Sequence, residues 1–207
     1  DGGTRTGRGR GKLVGRCGKK RVTGAPTMIH TELFADLGIP ADYGRDPRRP
    51  AYADATELED VGPNIVGQPQ RLAPATAHAW HRMQQTAAFS GVELLLVSGF
   101  RSIGQQTGLF RQKLAAGHDI TAILRVNAAP GFSEHHSGRA IDIATPGTRP
   151  LTVEFERSKA FAWLTANAAA FGFTMPYGRG NTFGFEFEPW HWSQLALPPQ
   201  SEAAREA

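Results

Sequence analysis

Polar and apolar positions change period several times along the chain, and each change marks an element. In Ala75–Phe89, Ala79, Met83 and Ala87 fall on one stripe at helical spacing. Pro74 stands just before them, where a first helical turn tolerates a missing N–H, and Gly91 follows. The pattern predicts a helix. Val92–Val97 reads VELLLV and predicts a buried strand. Helices are expected over Arg101–Ala116, weakened by Gly104 and Gly108, and over Ile120–Val126 before the turn NAAPG. Ala140–Ala144 is apolar between turn residues and predicts a strand. Glu156–Phe171 predicts the clearest helix, with Ala160, Phe161, Trp163, Leu164 and Ala168 along it. Strands are expected at Gly172–Pro176 and Phe183–Trp192. Residues 28–73, rich in Pro, Gly and Asp, predict a covering segment of turns with one short strand near Asn64–Val66. Strands and helices intermixed with hairpin-like returns favour an α+β fold with an antiparallel sheet.

Charge divides the 207 residues unevenly. Residues 1–27 hold eight glycines, eight of the 23 Lys and Arg residues and one of the 19 acidic ones. Residues 28–207 keep 15 basic and 18 acidic groups, a net of −3, although the whole chain is +4. A segment of that composition cannot bury enough apolar surface to offset its ordering entropy, so residues 1–27 are expected to be a flexible basic arm. Nucleic-acid binding would depend wholly on that arm, and none is expected of the body. The domain is expected over residues 28–197, with its motifs in 72–194 and a tail at 198–207. No apolar run reaches the roughly 18 residues that cross a bilayer, and the start lacks the apolar region of a signal peptide. The expected location is the cell envelope or periplasm if a signal was removed, and otherwise the cytoplasm.

Two motifs carry chemistry. In SEHHSGRAIDI (Ser133–Ile143), His135 and Asp142 are seven apart, with Gly138 free to turn the chain between them. They offer one nitrogen and one oxygen to a cation such as zinc. EPWHW (Glu188–Trp192) adds His191, and a His, Asp, His set leaves a fourth position open, as catalytic zinc requires. Pro189 is expected to bend the chain so that Glu188 and His191 converge. Glu188 could then carry a proton from water to the leaving amine. Arg101, in SGFRS after the predicted buried strand, could stabilise an oxyanion or hold a carboxylate. His136, beside His135, is the rival ligand. The single Cys17 excludes an intrachain disulfide, and SxxK, KTG, HExxH and GxSxG are all missing.

The motifs SxHxxGxAxD (Ser133, His135, Gly138, Ala140, Asp142) and ExxH (Glu188, His191), with SGFRS and QTGLF, resemble the VanY-type D-alanyl-D-alanine carboxypeptidases of the M15 zinc peptidases. The likeness runs over about Leu72–Gln194. It implies a single zinc-peptidase domain of LAS/Hedgehog-like kind, with a central antiparallel sheet flanked by helices. It implies one zinc per chain on His135, Asp142 and His191, with Glu188 as base and Arg101 as stabiliser of the tetrahedral intermediate; the SxHxxG register selects His135 over His136. Ser133 and Gln106 resemble residues that anchor the terminal D-alanine carboxylate, and Tyr177 and Trp190 are expected at the pocket. The implied partners are peptidoglycan stem peptides or muropeptides. An L,D-carboxypeptidase, an endopeptidase and a wall-peptide binding module are the alternatives. The chain departs from many relatives in following EPWHW with SQLAL.

Overall fold

A computed structural model describes residues 2 and 28–194. The expected basic arm and the tail lie outside these residues, apart from Gly2. Ten elements frame the fold: α1 (Met28–Leu37), β1 (Glu59–Pro63), β2 (Pro69–Leu72), α2 (Pro74–Phe89), β3 (Leu95–Ser98), α3 (Ile103–Ala115), α4 (Ile120–Val126), β4 (Ala140–Ala144), α5 (Lys159–Asn167) and β5 (His191–Ser193). β3, β4 and β5 form a three-stranded antiparallel sheet in that order, and β1–β2 is a separate hairpin. The α+β class and the antiparallel sheet agree with the sequence reading. No helix among the described residues is long and apolar enough to cross a membrane.

The apolar core falls into two clusters. One gathers Trp80, Met83 and Ala87 of α2, Leu96 of β3, Ile141 and Ile143 of β4, Leu164 of α5 and Trp192 of β5. The other joins Phe34 and Leu37 of α1 to Phe110 of α3, Ile123 of α4 and Phe132. β4 is buried at all five positions, which explains its continuous apolar reading apart from Asp142. A buried acid in such a strand needs partners, and its register supplies them: Asp142 lies opposite Ser98 on one side and His191 on the other.

Four expectations are corrected. Asn64–Val66 is the turn of the β1–β2 hairpin, not a strand; the Asn64 carboxamide oxygen accepts the N–H groups of Val66 and Gln68, and Gly67 takes φ 79°. Met28–Leu37 is a helix where turns were expected. Glu156–Phe171 is divided into a 3₁₀ turn (Val153–Arg157), α5 and a second 3₁₀ turn (Ala168–Phe171), because Ser158 caps a new helix by accepting the Phe161 N–H. Of the two C-terminal strands, only His191–Ser193 pairs with β4, joined on its other side by a single bridge to Thr174. Gly184 at φ 80° breaks the earlier run, and Phe183 and Phe185 pack on Tyr177.

Candidate active site

His135 sits in a short 3₁₀ turn, Glu134–Ser137, which closes at Gly138 in the left-handed region with φ 67°. A Cβ there would stand 2.9 Å from the Ala73 backbone nitrogen, so the turn and the start of α2 approach as closely as glycine permits. The chain then enters β4 and delivers Asp142. Glu188 and His191 are joined by a turn in which the His191 N–H donates to the Glu188 carbonyl at 3.1 Å, with Pro189 inside it. The bend expected at Pro189 is therefore present. It lets residues three apart reach one cavity, which a straight strand would forbid.

His135, Asp142 and His191 are all buried, and their donor atoms lie within 4.8 Å of one another. His135 Nε2 is 3.3 Å from Asp142 Oδ2, and His191 Nδ1 is 3.0 Å from Asp142 Oδ1. Tetrahedral zinc with bonds of roughly 2.0–2.1 Å needs donors about 3.3 Å apart. The donor set therefore suits one zinc ion. The outer nitrogens are fixed as well: His135 Nδ1 donates to the Gly99 carbonyl at 2.7 Å, and His191 Nε2 donates to Glu134 Oε2 at 2.9 Å. Each ring thereby turns its other nitrogen inward, the role that backing acceptors play for metal-binding histidines. Burial alone would raise the Asp142 carboxyl, but the two imidazoles hold it far below the ordinary range. Burial disfavours a charged His191. Its bonds to Asp142 and Glu134 win, raising it to about 10 without metal. Releasing that proton is part of the cost of loading zinc.

Around the triad lies a cavity of about 590 Å³. Arg101, Ser133, Tyr177, Glu188 and Trp190 all line it with the three donors, so the structure brings together every expected site residue except one. Gln106 is fully buried on α3, and its amide donates to the Ala128 carbonyl at 2.7 Å, behind the cavity wall. Burial pushes the Glu188 carboxyl up to about 7, against the lowering field of His191. Arg101 keeps its Nε buried without a hydrogen-bond partner among the described residues. Burial lowers its pKa while Asp142 and Glu188 favour its charge. Tyr177 stacks on the His191 ring, 4.7 Å between centroids at 22°.

His136 is excluded as a ligand by its own bonds. Nδ1 donates to the Arg101 carbonyl, while Nε2 accepts the Gly131 N–H at 3.1 Å. It ties the SGFRS segment to the ligand turn. The sequence reading missed two residues. Glu134, which backs His191, is an acid inside an otherwise buried motif; its position beside His135 was the available signal. Lys113, also on the cavity wall, gave none.

Three buried donors, an open side facing a cavity, and a buried acid and a guanidinium across it define a metal-dependent hydrolase site. The chain belongs to the VanY D-alanyl-D-alanine carboxypeptidase family, whose model matches residues 69–197. A D-alanyl-D-alanine carboxypeptidase of Enterococcus faecium is 30% identical over 130 residues, covering 61% of this chain and 38% of that protein. The chain thus spans less than half the length of that relative. Among solved structures, the LdcB LD-carboxypeptidase superposes with a TM-score of 0.62 at 28% identity, over 75% of this chain and 74% of LdcB. A VanY D,D-pentapeptidase from a VanB-type vancomycin resistance cassette, solved with Zn(II), gives 0.55 at 27% identity, over 72% and 83%.

Proposed function

We propose that this chain is a zinc-dependent D,D-carboxypeptidase that removes the terminal D-alanine from peptidoglycan stem peptides or muropeptides ending in D-Ala-D-Ala. The observation that carries the reading is the meeting of His135, Asp142 and His191 in one buried cluster beside Glu188. Family membership supports the substrate, as do the relatives described as D-alanyl-D-alanine carboxypeptidases.

When bound, zinc supplies Lewis acidity at the open side of the triad. The chain's residues divide the remaining work. Glu188, ionised above about pH 7 in the metal-free protein, takes a proton from the attacking water and delivers it to the departing nitrogen. One oxygen–carbon bond forms, the peptide C–N bond breaks, and D-alanine leaves as a neutral amine that can then be protonated. Arg101 offers a cation to the carbonyl oxygen as it gains charge. Glu134 and Tyr177 fix the His191 ring, and Ser133 and Trp190 form the wall on which the peptide rests.

Product analysis on tripeptide, tetrapeptide and pentapeptide stems tests this. Release of one D-alanine from the pentapeptide is expected. Release from the tetrapeptide alone would reassign the chain to L,D-carboxypeptidases, and internal cleavage would make it an endopeptidase.

A further inference from the structure

Arg101 reaches the cavity from a short irregular segment between β3 and α3. Among the described residues no hydrogen bond anchors its guanidinium, and Nε is buried without a partner. Its aim is therefore set by its backbone. That backbone is gripped at both polar groups. The Arg101 N–H donates to the His135 carbonyl at 3.2 Å, and the Arg101 carbonyl accepts from His136 Nδ1. Two residues on, the Ile103 N–H donates to Asp54 Oδ1 at 2.8 Å. α3 already has a cap of its own, in which Ser102 Oγ accepts the Gln105 N–H at 3.1 Å and Gln105 Oε1 accepts the Ser102 N–H at 2.8 Å. Ile103 opens the helix, so its N–H has no intrahelical acceptor. An acid 49 positions earlier supplies one, and a carboxylate suits the positive end of a helix.

Asp54 belongs to a strap, residues 52–55, laid across the ligand turn. The Tyr52 N–H donates to the Gly131 carbonyl at 2.8 Å, and the Ala55 N–H donates to the His136 carbonyl at 2.8 Å. Asp54 Oδ1 also stands 3.9 Å from His136 Nδ1, the nitrogen that holds the Arg101 carbonyl. The strap is thus tied to the turn that carries His135, and one of its side chains crosses to the segment that carries Arg101. Among the described residues no lysine or arginine pairs with Asp54, so a surface salt bridge does not account for its placement. We propose that Asp54 is a positioning residue for the hydrolysis: through the Ile103 N–H it fixes the backbone from which Arg101 reaches the reacting carbonyl, in register with the metal turn. The inference rests on the reading above for the role of Arg101, and not on which stem peptide is cut. A displaced guanidinium loses its hold on a developing charge, so the effect falls on turnover rather than on ground-state binding.

Two readouts on the zinc-loaded full chain, well below the melting temperature of each variant, test this. The first is turnover of whichever stem peptide the parent cleaves. Asp54→Ala should lower kcat at least ~10-fold with KM within ~2-fold and one zinc per chain retained. Asp54→Asn keeps an oxygen for the Ile103 N–H and should restore at least about half of the parent kcat. In an Arg101→Ala background, Asp54→Ala should cost less than ~2-fold more, because the two act through one group. The second readout is the Arg101 Nε–H resonance, identified by its loss in Arg101→Lys. It should shift or broaden in Asp54→Ala and return in Asp54→Asn. Full turnover in Asp54→Ala overturns the proposal, and so does an equal loss with and without Arg101. Loss of zinc, or an Asn variant as poor as the Ala variant, overturns it too. If the parent cleaves no stem peptide, the assigned reaction fails. The resonance then decides the positioning by itself: moved in Asp54→Ala it stands, unmoved it falls.

Discussion

Glu188 shows how burial prepares one side chain for proton transfer. Its pKa of about 7 lies above the ordinary 4.5, so the metal-free folded protein binds this proton more tightly than the unfolded chain does. Its contribution to stability therefore falls as pH rises from 4.5 to about 7, and levels off above that. Glu188→Gln removes the penalty. In the metal-free protein it should leave the melting temperature unchanged near pH 4 and raise it at pH 8, by up to about 3 kcal/mol of stability. In the zinc-loaded protein the same variant should retain metal and bind peptide, yet lose at least ~10²-fold in turnover. Zinc content, melting curves and released D-alanine on one sample decide. Lost metal would make Glu188 a support for the ligands instead. Arg101→Ala should lower turnover by about 10²–10³ with little change in melting temperature, because it deletes a cation whose Nε has no hydrogen-bond partner among the described residues. A large melting shift with normal turnover would assign Arg101 to structure.

At the scale of elements, the ligand turn is held by neighbours distant in sequence. The His135 carbonyl accepts the Arg101 N–H at 3.2 Å, the His136 carbonyl accepts from Ala55, and the Gly138 carbonyl accepts from Ala73. Gly138→Ala would require a strained left-handed alanine and would press its methyl against the Ala73 nitrogen. Backbone cannot yield as a flexible side chain can. A destabilisation of at least about 1–2 kcal/mol is expected, together with weaker zinc binding, since the turn carries His135. Denaturant midpoints and zinc titration would show both; normal values for each would mean that the turn relaxes freely. His136→Phe should act differently. It leaves the Gly131 N–H and the Arg101 carbonyl unpaired, at about 1–3 kcal/mol apiece, but keeps one zinc per chain. Loss of the metal with full stability would reverse the assignment of His135 over His136.

For the molecule as a whole, the metal site brings the turn before β4 and the middle of β4 together with the start of β5, where His191 lies 49 residues beyond Asp142. Bound zinc therefore stabilises the folded state by mass action. At a free concentration about 1,000 times Kd, this is about 4 kcal/mol, or roughly 8–16 °C in melting temperature for a domain of this size. Chelation should produce that fall reversibly, with zinc restoring it in a concentration-dependent way. A melting temperature indifferent to chelator would show that the three donors do not hold a metal in solution.

The helix over Ile120–Val126 and the strand over Ala140–Ala144 were legible residue for residue, because local periodicity and flanking turn residues specify them. So was the triad, since SxHxxGxAxD and ExxH preserve its donor types and spacing in the linear chain. The bend at Pro189 was legible for the same reason: proline imposes it locally. The division of Glu156–Phe171 turned on a single cap at Ser158, which helical apolar spacing does not register. The roles of Glu134 and His136 carried no linear signal beyond their place beside His135, because each depends on a partner brought up by the fold. Glu134 meets a histidine 57 positions away, and His136 clamps a backbone 35 positions away. Sequence alone determined which groups could do the chemistry; antiparallel register, with Asp142 set opposite His191, decided that they meet.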